Sequence, residues 1–138
     1  MNQPGPISSS HANSPPVIYV VDDNPALVEL ATVVLQTEGY EVRSFCDPSQ
    51  ALADLHRAHP KPDLLLTDFN MDEMNGLELV ERSREFLPDL KAMLVSGTIE
   101  AEVIEMQPIK VNQFLRKPYA PEELVRLVRQ LLDEGSSV

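Results

Sequence analysis

The sequence predicts an α/β fold built on one parallel sheet. Short, unbroken apolar runs rich in Val, Ile and Leu recur along the chain, as expected of strands buried on both faces. Between them lie segments whose apolar residues return every three or four positions, the period of a helix with one buried face. Strands and helices alternating in this way imply a sheet covered by helices on both sides.

The first run is Val17-Ile18-Tyr19-Val20-Val21, which stops at Asp22-Asp23-Asn24-Pro25, with the proline placed for the first turn of a helix. Leu27, Leu30, Ala31, Val34 and Leu35 then share one helical face, and Gly39 ends the helix. Val42 to Cys46 reads as the second strand, with Cys46 as a buried structural thiol. Asp47-Pro48-Ser49-Gln50 opens the second helix with a capping-box-like Asp and Gln, and Ala51, Leu52 and Leu55 supply its apolar face. The third strand is Leu64-Leu65-Leu66-Thr67. After a polar loop, Asn75-Gly76 starts a helix whose face carries Leu79, Val80, Ser83, Phe86 and Leu87.

Ala92 to Val95 is the fourth strand, Glu100 to Glu105 a short helix stopped before Pro108, and Gln113 to Arg116 the fifth strand. The last helix carries Leu124, Leu127, Val128, Leu131 and Leu132 on one face. Pro121, Glu122 and Glu123 in its first turn suit the positive end of the helix dipole. Residues 1–16, rich in Pro, Ser, Asn and Gly without a hydrophobic period, read as a disordered tail. The domain then covers 17–134, and 135–138 form a C-terminal tail.

The commonest arrangement of such units is the flavodoxin-like (βα)5 three-layer sandwich, a parallel five-stranded sheet of order 2-1-3-4-5. In that order the chain reverses direction between the first and third strands, and ligands bind beyond the C-terminal strand ends there. Those ends carry Asp22 and Asp23, then Thr67-Asp68, Ser96-Gly97 and Lys117-Pro118. Carboxylates brought this close repel one another unless a positive group joins them. A hard divalent cation resolves the repulsion, and Mg²⁺ accepts a few carboxylates together with waters and phosphate oxygens. Lys117 adds a point charge, while Ser96 and the amides near Gly97 add hydrogen-bond donors. Phosphoryl transfer requires mainly positioning and electrostatic stabilisation, and Asp68 is placed to be the nucleophile.

Taken singly, these segments are ordinary. Asp22-Asp23 alone reads as a helix cap, Asp68 to Gly76 as an acidic loop, and Lys117-Pro118 as a turn. Their coincidence at one predicted crevice favours the functional reading. Met71 and Met74 read as loop-packing residues, and His56 and His59 as surface groups.

The motifs Val-Asp22-Asp23-Asn-Pro, Leu-Leu-Thr-Asp68-Phe-Asn70-Met, Leu-Val-Ser96-Gly97 and Phe114-Leu-Arg-Lys117-Pro118, in this order, resemble the receiver domain of two-component response regulators. The resemblance covers residues 17 to about 133. It implies that Asp68 accepts a phosphoryl group from a sensor histidine kinase or phosphotransfer protein. It implies that Asp23, Asp68 and the backbone carbonyl of Asn70 ligate Mg²⁺, with Asp22 acting largely through water, and that Ser96 and Lys117 hold the phosphoryl group. Phe114 matches the family's switch aromatic, which packs inward as Ser96 is drawn to the phosphate. The surface of the fourth helix, fifth strand and fifth helix changes with it, signalling to a downstream protein or homodimer partner. A phenylalanine has no hydroxyl to keep in water, so Phe114 is expected to tolerate the inward position in a sizeable fraction of unphosphorylated molecules. The protein is thus expected to be a signalling phosphoacceptor rather than an enzyme, limited to its own phosphorylation and dephosphorylation.

The chain departs from the family pattern in carrying Asp72 where a proline is common, and in lacking the usual Gly-Ala before the fifth strand. Polar Asn70 and Thr98 are expected to admit water and give the phosphorylated state a moderate lifetime. A haloacid-dehalogenase-like phosphatase would want an Asp at position 70, which is Asn, and an FMN binder would want a Ser-, Thr- and Gly-rich loop where Asp22-Asp23 stands. The formal charge of −11, from 11 basic and 22 acidic residues, opposes direct binding to nucleic acid. Apolar stretches of about five residues fall far short of the ~20 that cross a bilayer. A single cysteine and the absence of signal-peptide features lead to the expectation of a cytoplasmic protein, and 138 residues without a second folded region to the expectation of no fused output domain.

Overall fold

The computed structural model describes residues 14–57, 61–97, 106, 108 and 110–136, with side chains as far as 133. The 100–105 helix, Thr98, His11, His59 and tail residues 1–13 lie outside the described residues. In chain order the elements are β1 (Val17–Val21), α1 (Pro25–Thr37), β2 (Glu41–Phe45), α2 (Pro48–Arg57), β3 (Leu64–Asp68), α3 (Gly76–Phe86), β4 (Lys91–Ser96), β5 (Gln113–Arg116) and α4 (Pro121–Ser136). The strands form one parallel sheet of order β2-β1-β3-β4-β5, as expected. The last helix runs through Ser136 and so takes in part of the expected tail.

Local chemistry sets the helix ends. Asn24 caps α1, its side chain accepting from the Ala26 and Leu27 amides, ahead of Pro25 in the first turn. At the other end Gly39 takes φ 96°, a left-handed conformation, and its N–H donates to the Gln36 carbonyl. Asn75 and Glu78 form a full capping box at the start of α3.

Alternate strand residues face opposite layers, so the sheet divides the core in two. On one side Ile18, Val20, Leu64, Leu66 and Met93 pack against Ala31 and Leu35 of α1 and Leu124, Val128 and Leu131 of α4. On the other, Val17, Tyr19, Val21 and Leu65 pack against Ala51 and Leu55 of α2 and Leu79 and Val80 of α3. Met71 is buried in this second cluster and Met74 packs on it, the loop-packing roles expected of them. His56 is at the surface.

Three burial expectations need correction. Cys46 is exposed, because it falls one residue beyond β2, an edge strand covered on only one flank and nowhere fully buried. Leu30 is 47% exposed, because α1 turns Val28, Ala31 and Leu35 inward and leaves Leu30 outside that narrower stripe. Phe86, at the end of α3, is 43% exposed and meets the His56 ring edge-on, with centroids 5.0 Å apart.

Two polar networks tie elements together. The Tyr19 hydroxyl, buried in β1, donates to Asp54 Oδ2 at 2.6 Å, and Arg43 pairs with the same carboxylate at 3.1 Å. The Arg84 guanidinium of α3 donates to the carbonyls of Leu90 and Lys110 and to Asn112 Oδ1. Asn112 in turn bonds to Ala92 through both its backbone and its side chain, extending the β4–β5 ladder.

Candidate functional site

The register of the sheet decides which side chains meet. Val21 pairs with Thr67 and Asp68 with Val95, so Asp22, one residue past β1, stands level with Asp68 at the end of β3. The Asp22 N–H donates to the Phe45 carbonyl at 3.2 Å, carrying β1 slightly beyond its last ladder pair. On the far side the Lys117 N–H donates to the Ser96 carbonyl at 2.9 Å, which holds the end of β5 against the end of β4.

Carboxylate oxygens of Asp22, Asp23 and Asp68 lie within 4.8 Å of one another. Asp22 and Asp68 are buried, while Asp23 is exposed. Lys117 Nζ is 2.8 Å from Asp68 Oδ1 and 3.9 Å from Asp22 Oδ2. Asp22 Oδ1 accepts from the Asn24 N–H at 2.9 Å, so the residue that caps α1 also orients this carboxylate. Ser96 is 2% exposed at the end of β4.

Burial raises the Asp68 carboxyl above its ordinary value; the Lys117 hydrogen bond opposes this, and the nearby Asp22 charge adds to it. Asp22 is raised for the same first reason, opposed by the Asn24 amide and Lys117. For Lys117, burial favours loss of the proton. The Asp68 hydrogen bond and the charges of Asp68 and Asp22 outweigh it, and the ammonium is held above its usual range. One ammonium thus serves two buried carboxylates and leaves a negative surplus. An oxygen-only donor set of this charge suits a hard divalent cation such as Mg²⁺.

The loop after Asp68 folds back on it. The Gly76 N–H donates to the Phe69 carbonyl at 2.8 Å, and a Cβ on Gly76 would stand 2.4 Å from the Asp68 carbonyl oxygen. Glycine is required there by the close approach of two backbone segments. Within the same turn the buried Thr67 hydroxyl donates to the Asp68 carbonyl at 2.9 Å.

Asp22, Asp23, Asp68 and Lys117 are therefore brought together as the sequence predicts, with Ser96 joined through the Lys117 amide. Asn70 is exposed, two residues past Asp68. Phe114 lies apart from the carboxylates, partly buried against Leu77 and Leu94 together with Phe69 and Val111. Sequence reasoning missed Tyr119, which lines a small cavity with Asp22, Asp68 and Lys117. Its one signal is an aromatic residue two positions after Lys117.

Residues 18–129 match the family model of the response regulator receiver domain. The DNA-binding response regulator MtrA of Mycolicibacterium smegmatis is 36% identical over 117 residues, which cover 83% of this chain and 50% of that protein. An uncharacterized 14.6 kDa protein of Leptolyngbya boryana is 37% identical over 116 residues, 82% of this chain and 87% of that one. Among solved structures, a CheY-like receiver domain protein of Methanospirillum hungatei superposes with a TM-score of 0.78 at 28% identity, covering 88% of this chain and 96% of its own. The chain spans about half the length of the mycobacterial regulators it matches.

Proposed function

The chain belongs to the response regulator receiver domain family, and from that membership and the site's geometry we propose that it is a Mg²⁺-dependent phosphoacceptor whose nucleophile is Asp68. One observation carries the reading: three carboxylates gather within 4.8 Å, and the most buried of them has an ammonium 2.8 Å away.

A phosphohistidine on a sensor kinase or phosphotransfer protein is the donor this reading requires. An Asp68 carboxylate oxygen forms a bond to phosphorus as the P–N bond breaks, and the leaving imidazole nitrogen keeps the electron pair and takes up a proton. Lys117 moves from its contact with the Asp68 carboxylate to the phosphoryl oxygens, where a compact positive charge is needed. The Ser96 hydroxyl, at the adjoining strand end, donates to another of these oxygens. Asp22, Asp23, Asp68 and the Asn70 carbonyl would hold the cation, which would supply charge neutralisation. Water then hydrolyses the acyl phosphate, so the chain's own chemistry is confined to gaining and losing phosphate.

Signalling follows from Phe114. The ring is partly buried against Leu77 and Leu94, and in this reading it packs further inward as Ser96 is drawn to phosphate. The β5–α4 surface changes with it and is offered to a downstream protein or a second copy. DNA binding, in the name of the mycobacterial relative, is a property of that longer protein. Among the described residues no helix is long and apolar enough to cross a membrane.

Intact-mass measurement after incubation with acetyl phosphate and Mg²⁺ tests the proposal. The wild type gains one phosphate and Asp68→Asn gains none; equal gain in both, or gain in neither, refutes it.

A further inference from the structure

Directly beneath the carboxylates is a cavity of about 20 Å³, enough for about one water molecule. It is lined by apolar residues, Val20, Leu66 and Val95 among them, and by four residues with polar side chains: Asp22, Asp68, Lys117 and Tyr119. Among the described residues Tyr119 is thus the one uncharged polar residue lining this cavity.

The ring of Tyr119 is partly buried against the core beneath α1 and α4, which fixes it in place. Its phenol carries one O–H and so offers a single hydrogen-bond donor at the rim of the acidic cluster.

Asp22 has a use for such a donor. Its Oδ1 is held by the Asn24 amide, but its Oδ2 stands 3.9 Å from Lys117 Nζ, beyond hydrogen-bond distance. Lys117 is committed to Asp68 at 2.8 Å. A carboxylate that lines this cavity and is hydrogen-bonded at one oxygen alone is incompletely oriented. In such surroundings a single dipole counts for more than it would in water.

We propose that Tyr119 is a positioning residue of the phosphoacceptor site: its hydroxyl, acting through one water held in this cavity, orients the Asp22 carboxylate for divalent cation binding. The inference rests on the phosphoacceptor reading in assigning Asp22 to the cation. It goes beyond that reading in assigning a role to a residue outside the acidic cluster.

The test is Mg²⁺ titration calorimetry on the full chain, with melting temperatures taken in EDTA. Tyr119→Phe keeps the ring and should bind Mg²⁺ roughly tenfold more weakly, the low end for loss of a group that orients a ligand, with little change in melting temperature. In the Asp22→Asn background the same substitution should have no further effect on Mg²⁺ affinity. Unchanged affinity in Tyr119→Phe overturns the inference, as does an undiminished effect in the Asp22→Asn background or a Phe variant that fails to fold. A wild type that binds Mg²⁺ through Tyr119 yet takes no phosphate from acetyl phosphate sinks the phosphoacceptor reading alone. A wild type that is phosphorylated, with Tyr119→Phe binding Mg²⁺ normally, sinks the Tyr119 inference alone.

Discussion

Gly76 packs its α-carbon against the backbone of Asp68 so closely that an added methyl would lie 2.4 Å from the Asp68 carbonyl oxygen and 2.7 Å from Leu94 Cδ1. The first of these atoms is main chain and cannot rotate aside. Gly76→Ala should therefore destabilise the fold by about 1–3 kcal/mol, as overpacking does. It should also slow phosphorylation, because the strand end carrying the nucleophile must shift. Urea unfolding checks the first effect, and the rate of mass gain with acetyl phosphate checks the second.

The carboxylates give the metal-free protein a pH dependence of predictable sign. Burial raises Asp22 and Asp68 above the ordinary 3.8, so the folded state holds their protons more tightly than the unfolded chain does. Their contribution favours folding below the ordinary carboxylate range and is lost as pH rises through the raised values. In EDTA, Asp22→Asn should gain stability over the wild type as pH climbs from about 4 toward 7, by on the order of 1 kcal/mol. Saturating Mg²⁺ should reverse the ranking, because it stabilises the wild type more. Urea unfolding across this pH range checks both.

Lys117 is the only ammonium or guanidinium paired with the acidic cluster among the described residues. Lys117→Met should lower the phosphorylation rate about 100-fold or more, the usual effect of removing one group that stabilises developing charge. The variant should still bind Mg²⁺, since the carboxylates remain and less positive charge competes for them. A time course of intact mass, paired with calorimetry, separates the two effects.

Arg84 holds the approach to β5 from α3 through three hydrogen bonds. Arg84→Met keeps most of the aliphatic bulk and removes all three. It should cost roughly 2 kcal/mol, since each bond contributes ~0.5–1.5 kcal/mol net and some of the freed carbonyls regain water. Amide hydrogen exchange should quicken at Asn112 and Phe114 while β1 and β3 stay protected.

The sequence was most legible where burial was two-sided. β1 falls where the Val17–Val21 run places it, because a strand buried on both faces cannot tolerate polar residues and so marks its own limits. The same rule misplaced Cys46: β2 lies at the sheet edge, where apolar and polar residues mix, and one-dimensional hydrophobicity does not tell an edge from a centre. The site was legible as a set of strand ends because parallel topology brings those ends together whatever the loops do. The asparagine–glutamate spacing at Asn75 and Glu78 did encode the capping box at α3, a signal in plain sight that the helical pattern after it overshadowed. Nothing in one dimension reveals that Gly76 touches Asp68, since the contact comes from a loop folding back. Tyr119 was hidden for a different reason, because its packing as a core aromatic masks what its hydroxyl faces.

The sheet leaves this molecule with two hydrophobic compartments that share backbone but no side chains. Leu35 belongs to one and Leu79 to the other, both fully buried. Truncating either to alanine should cost about 2–5 kcal/mol, and the losses should sum in the double variant, because neither void can relax into the other. An engineer can therefore repack one compartment by substitution and leave the other as a fixed reference.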